Sequence, residues 1–177
     1  MQKSMIKRLA ATGVVLLGLG GTGAVIAQSP AITVQATSIK VSQSAVVKKF
    51  TKKFKDAKIE SISLEKENGR YVYEIDGFTK SKEHSMKINA SSGKVIRTES
   101  EKLDDHKKSL NLKKTISRST ATKIAQKRAK GAKATEWTLD REGNKSVWDI
   151  TLKKGHKEYE VQVNALTKKV IKVEVDD

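Results

Sequence analysis

The sequence predicts an α+β protein: two tandem copies of one small module, each a helix packed on a three- to four-stranded antiparallel sheet, behind an N-terminal hydrophobic export segment. Three observations carry this. First, Asn89–Ile96 (N-A-S-S-G-K-V-I) returns as Asn164–Ile171 (N-A-L-T-K-K-V-I) at an offset of 75 residues. The same offset pairs Leu64 with Leu139, Val72 with Val147, Ile75 with Ile150 and Glu99 with Glu174, and a fixed period marks a duplicated structural unit. Second, within each copy apolar residues recur first at helical and then at alternating spacing. Third, a basic flank with Lys3, Lys7 and Arg8 precedes the uncharged apolar run Leu9–Ala27, the pattern of a secretory signal.

The elements follow in order. Residues 1–36 are read as the export segment, with Val25-Ile26-Ala27 offering a cut before Gln28 and Val34-Gln35-Ala36 a second before Thr37. An uncleaved membrane anchor is the alternative, since a span needs about 20 apolar residues. The glycines at 13, 18, 20, 21 and 23 weaken it as a helix. Residues 39–99 form the first module. Ser42 or Ser44 is its N-cap, and Val46, Val47, Phe50 and Phe54 give a helix over Ser42–Lys55. Ile62 and Leu64 mark a strand, Asn68-Gly69 a tight turn, and Tyr71, Tyr73 and Ile75 one face of the next strand. A looser turn at Thr79–Glu83 leads to a strand with Met86, Ile88 and Ala90, and Val95 and Ile96 begin a short last strand. Residues 100–115 are a charged linker with Leu103, Leu110 and Leu112.

Residues 116–177 repeat the series. Ser117 or Ser119 caps a helix bearing Ala121, Ile124, Ala125 and Ala129, stopped at Gly131. Trp137 and Leu139, then Trp148, Ile150 and Leu152, then Val161, Val163 and Ala165 line successive strands, with turns at Gly143-Asn144 and Lys154–Lys157. Val170, Ile171 and Val173 begin the last. Alanines replace phenylalanines on the second helix, so the two cores cannot be packed alike.

The chain has 177 residues, 36 Lys plus Arg against 20 Asp plus Glu, a formal charge of +16 and no cysteine. The absence of cysteine excludes disulfides, thiol catalysis and thiolate zinc sites. It also suits an envelope where folding does not depend on disulfides, as in Gram-positive bacteria. Loss of the three basic leader residues would leave a charge of +13. That charge suits an anionic partner, although the basic residues are interleaved with acids along the chain. No compact basic stripe with stacking aromatics points to nucleic acid.

Leu139-Asp140-Arg141-Glu142-Gly143, Val147-Trp148-Asp149-Ile150, Tyr159–Ala165 and Val170-Ile171 together resemble the PepSY family. The first copy matches through Glu67–Ile75 and Asn89–Ile96. Asn89 and Asn164 stand where the family usually has Asp, His84 stands in place of the aromatic that Tyr159 supplies, and Lys168 replaces the turn glycine kept at Gly93. A lysine there would be strained at positive φ, so another geometry is expected for the second turn. The resemblance implies an exported module that inhibits or regulates peptidases, with no catalytic residues of its own.

Site chemistry is sparse. His84, His106 and His156 do not fall in ligand spacing, and a zinc site needs three or four converging ligands. Asp104-Asp105-His106 lies in the linker and Asp176-Asp177 at the end, where solvation accounts for them. Glu65/Glu67 and Glu74/Asp76 lie at strand spacing on faces read as exposed, where they make poor acid–base groups. There is no G-x-S-x-G elbow or phosphate loop in the modules. The expectation is therefore a non-enzyme with no catalytic, cofactor or metal residues. Its partner would be an extracellular peptidase or cell-wall hydrolase; the alternative is a cationic envelope protein on anionic wall polymer or a membrane surface. The surface to examine is the sheet face opposite each helix, with Val72, Glu74, Val147 and Asp149, or a free edge strand. Differences between the copies, namely Phe-rich against Ala-rich helices, His84 against Tyr159 and Gly93 against Lys168, mark the other places where function could reside.

Overall fold

The computed structural model describes residues 38–104 and 107–176. The leading segment, Asp105, His106 and Asp177 lie outside the described residues. The elements are α1 (Gln43–Lys53), β1 (Lys58–Glu67), β2 (Arg70–Phe78), β3 (Lys82–Asn89), β4 (Val95–Lys102), α2 (Arg118–Arg128), β5 (Lys133–Glu142), β6 (Lys145–Lys154), β7 (Lys157–Asn164) and β8 (Val170–Asp176). β4 and β8 are full strands rather than short ones. Among the described residues no helix is long and apolar enough to cross a membrane.

Both helices start as their sequences dictate. Ser42 and Ser117 adopt extended backbone, and each hydroxyl accepts the N–H of the residue three positions on, Ala45 and Thr120. This satisfies one of the orphan donors of a first turn. The chain leaves α1 through Asp56 and α2 through Gly131, both at positive φ, and these positions are equivalent. The hairpin turns are likewise local. Asn68 and Gly69 both have positive φ, as a type I′ turn requires, whereas at Gly143-Asn144 only the glycine does, the pattern of type II′.

The repeats do not form two sheets. β1 pairs antiparallel with β5, giving one eight-stranded sheet in the order β4-β3-β2-β1-β5-β6-β7-β8. The junction pairs Ile62 with Leu139, Ser63 with Thr138 and Leu64 with Trp137. Ser63 and Thr138 are equivalent by the 75-residue offset, so a pseudo-two-fold axis passes through that pair. Such an axis stands perpendicular to the sheet and leaves both helices on one face. One hydrophobic cluster accordingly runs through both repeats, from Val46 and Phe50 to Ala121, Ala125 and Ala165, with Leu110 of the linker included.

The segment before each helix is tied down twice in the same way. The N–H groups of Val41 and Ile116 donate to the carbonyls of Ala90 and Ala165 at 2.9 and 2.8 Å. Tyr73 Oη donates to Val41 O at 3.1 Å, and its counterpart Trp148 donates through Nε1 to Ile116 O at 3.0 Å. The two largest fully buried side chains therefore fill the core and satisfy the carbonyl just before each N-cap.

The recurring Asn motif explains itself by hydrogen bonding. Asn89 Oδ1 accepts from the N–H of Ser91 and Ser92, and Asn164 Oδ1 from Leu166 and Thr167. Gly93 has φ 72° and Lys168 φ 65°, with matching backbone bonds to the carbonyls of Asn89 and Asn164. The expectation of a different second turn is thus overturned. The asparagine side chain and the flanking strands fix the turn, and Lys168 is held in the left-handed region that glycine occupies without cost.

Candidate functional site

Alternation along the strands sends Ile62, Leu64, Tyr73, Ile75, Trp148 and Ile150 to the helices. Their neighbours go to a second face that no described element covers. Val72, Glu74, Val147 and Asp149 do lie there. Val72 and Val147 are nevertheless buried, at 4% and 0% exposure. Each stands between cross-strand partners, Glu65 and Asn89 for Val72, Asp140 and Asn164 for Val147.

Around each valine the register assembles three carboxylates from two strands: Glu65, Glu67 and Glu74 in the first repeat, Asp140, Glu142 and Asp149 in the second. Each trio can bring its oxygens within 4.8 Å of one another. The six positions correspond one to one at the 75-residue offset, which is the sequence signal that would have found them. Alternation alone shows pairs along a strand; the trio exists only once the register between strands is known. The surroundings differ. In the first repeat Lys87 Nζ lies 2.5 Å from Glu67 and 3.5 Å from Glu74. At the equivalent position Gln162 donates to Glu142 at 3.2 Å, an amide where the first repeat has an ammonium.

These acids are less exposed than strand spacing suggested. Burial pushes the Glu65 carboxyl up, reinforced by Glu136, Glu67 and Glu74. It does the same to Glu74 and, despite hydrogen bonds from Ser61 and Ser85, to Asp76. The expectation of freely solvated carboxylates is corrected accordingly. Oxygen-only trios are chemically of the kind that hard cations accept, but the first is already engaged by Lys87. Next to it lies an open groove of about 740 Å³, floored by Val72, Val95 and Ile96 and flanked by Glu67, Arg70 and Lys94.

The two layers differ in their acids. α1 carries Lys48, Lys49, Lys52 and Lys53, and α2 carries Arg118, Lys123, Lys127 and Arg128, with no acid on either. Among the described residues sixteen of eighteen acids stand on strands. The helices carry bases alone, while on the sheet the acids stay interleaved with bases such as Lys66, Lys87, Arg97 and Lys172.

The remaining sequence candidates resolve into structural roles or remain apart. His84 stacks on Phe54 with centroids 4.3 Å apart and shares a hydrogen bond of 2.8 Å with Ser100. Burial, with Lys82 nearby, holds its pKa below the usual imidazole value. His156 sits in the exposed β6–β7 turn. Asp104 is exposed, and its companions Asp105 and His106 lie outside the described residues, as does Asp177 beside Asp176. Sequence reasoning missed Arg118. Its Nη1 donates to Tyr73 Oη at 2.8 Å and its guanidinium lies over the rings of Tyr73 and Trp137, tying α2 to the first repeat.

A tandem α+β chain with one helix layer and one open sheet face defines a class of small modular sheet protein. The chain belongs to the PepSY family: the model described as "Peptidase propeptide and YPEB domain" matches residues 40–99 and 115–174. A solved structure of a candidate lipoprotein from Clostridium difficile 630 is similar at 30% identity. That match has a TM-score of 0.70 and covers 78% of this chain and 95% of that one. The YpmB protein from Bacillus subtilis matches at 22% identity over 75% of this chain and 95% of that one, with a TM-score of 0.36. The Bacillus megaterium YpeB C-terminal domain matches at 19% over 76% and 64%, with a TM-score of 0.30. No curated protein matches the chain.

Proposed function

We propose that this is an exported, non-catalytic PepSY protein that binds and restrains an extracellular peptidase or cell-wall hydrolase through the open face of its sheet. The observation that carries this reading is the groove at Val72, Val95 and Ile96 beside the Glu65–Glu67–Glu74 carboxylates. It offers an apolar floor flanked by both signs of charge, as an extended polypeptide needs. The family description, which names peptidase propeptides, and the leading apolar segment support the class of partner and the location outside the cytoplasm.

A second reading has its own support. The acid-free helix layer presents a uniformly cationic surface, suited to anionic wall polymer or lipid headgroups. One experiment separates the two. Ile96, 55% exposed, is replaced by Glu, and in a second chain Lys48 and Lys52 are replaced by Glu. The first reading expects a hydrolase to be retained from envelope and secreted fractions by the wild type and the lysine variant, and lost with Ile96→Glu. The second expects binding to isolated wall or anionic vesicles to fall with the lysine variant and with rising salt. Recovery of no hydrolase by the wild type sinks the first reading; salt-independent wall retention sinks the second.

A further inference from the structure

We propose that β8 is a self-pairing edge, so that two copies of this chain join by antiparallel β8–β8 association into one continuous sheet. β4 and β8 are the two edges of the sheet, and they are unlike. Ile171, Val173 and Val175 form an apolar row along β8: Val173 faces buried Val161 and Val175 faces Tyr159 on the helix side, and Ile171 sits at the bulge where the β7 ladder shifts register. They remain 42%, 41% and 51% exposed. The equivalent positions on β4 are Ile96, Thr98 and Ser100. An apolar row on a free edge is a template for another strand, and polar residues blunt that template on β4.

The sequence of β8 identifies the partner as a second copy. With Val173 on a two-fold axis, Ile171 of one chain faces Val175 of the other, and Val173 faces Val173. The exposed apolar row is thereby covered by its own image. On the opposite face Lys172 meets Glu174 of the other chain twice. Within one chain these two already lie 2.6 Å apart, so the pair would become an alternating ring of four charges. Registers displaced to the neighbouring same-face alignments fail on charge. Centring on residue 172 sets Lys172 against Lys172, and centring on 174 sets Glu174 against Glu174, both unfavourable across a ladder. Only the Val173 register among these three is free of like pairs at its axis. It repeats between chains the geometry that Ser63 and Thr138 show within one, and such an isologous contact closes as a dimer.

The test uses the full-length chain, which has no native cysteine. In the proposed dimer Val173→Cys brings two sulfurs to facing positions, whose Cα atoms are about 4.5–5.5 Å apart in an antiparallel ladder, within disulfide range. Mild oxidation followed by non-reducing electrophoresis should give one dimer band for Val173→Cys, formed much faster than for Thr98→Cys on β4. In the Val173→Cys background, Lys172→Glu or Glu174→Lys alone should slow the cross-link about tenfold, because two attractive pairs are replaced by two repulsive ones. The double Lys172→Glu/Glu174→Lys should restore it. Far-UV circular dichroism confirms that each exposed-site variant is folded. The proposal is overturned if Thr98→Cys cross-links as fast, if the single charge changes have no effect, or if the double does not restore the rate. It is equally overturned if mixed Thr98→Cys and Val173→Cys chains cross-link faster than Val173→Cys alone, which would pair β8 with β4.

Discussion

The two repeats share a backbone and divide its volume differently. In the first, Phe50 projects from the helix onto Gly77, where an added Cβ would lie 2.9 Å from the Phe50 ring and 2.4 Å from the Lys58 carbonyl oxygen. In the second the equivalent residues are Ala125 and Leu152, both fully buried, so the bulk comes from the sheet instead of the helix. Phe54 stacked on His84 becomes Ala129 with Tyr159. Val47 with Ile62 becomes Thr122 with Trp137, whose Nε1 donates to the Thr122 hydroxyl at 2.8 Å. At these three places a helix residue that shrinks, or turns polar, is matched by a strand residue that grows. The lesson is that a two-layer unit conserves the filling of its interlayer space rather than the identity of either layer. The differences between copies first read as places of functional interest are, at the helices and at His84/Tyr159, compensations in packing.

The comparison can be broken most severely at its shared anchor. Trp148→Ala should destabilise the protein by about 3–5 kcal/mol, since it empties a fully buried site and leaves the Ile116 carbonyl without its indole donor. Urea unfolding followed by circular dichroism measures this, and a change near zero would show that the Tyr73/Trp148 equivalence is not structural. A sharper comparison uses the same end residue at equivalent sites. Leu152→Ala should cost about 2–5 kcal/mol by leaving a cavity. Gly77→Ala should cost about 1–3 kcal/mol by adding a methyl where Phe50 and the Lys58 carbonyl leave no room. If Gly77→Ala stabilises, the reciprocal-volume account fails. The smallest effect is expected at the turns. Lys168→Gly should stabilise by about 1 kcal/mol or less, relief of a left-handed residue being offset in part by the entropy of the unfolded glycine. Thermal denaturation reads it, and a clear loss of stability would mean that the Lys168 side chain has a partner that favours this turn.

Much of this fold is legible in the sequence, for identifiable reasons. Caps at Ser42 and Ser117, turns at Asn68-Gly69 and Gly143-Asn144, and the helix-facing alternation of Tyr73, Ile75, Trp148 and Ile150 are local signals. Each is written within a few residues of where it acts. Continuity of the sheet was not legible. Ile62, Leu64, Trp137 and Leu139 would alternate identically whether β1 met β5 or solvent, so the pattern fixes a face and leaves the neighbour open. The carboxylate trios were hidden for the same reason: Glu65 and Glu74 are brought together by register between strands. Residue propensity alone argues against a left-handed Lys168, but the Leu166 and Thr167 N–H bonds to Asn164 Oδ1 override it.

The junction of β1 with β5 has a consequence for assembly. Its pseudo-two-fold at Ser63 and Thr138 is the symmetry that two separate single-module chains would adopt as an isologous pair. Joining them through residues 103–115 makes that encounter intramolecular. A short tether of this kind holds its ends at an effective concentration on the order of millimolar. The three paired positions of β1 and β5 then join two small cores into one. The duplication in the sequence is in this sense a dimer made independent of its own abundance.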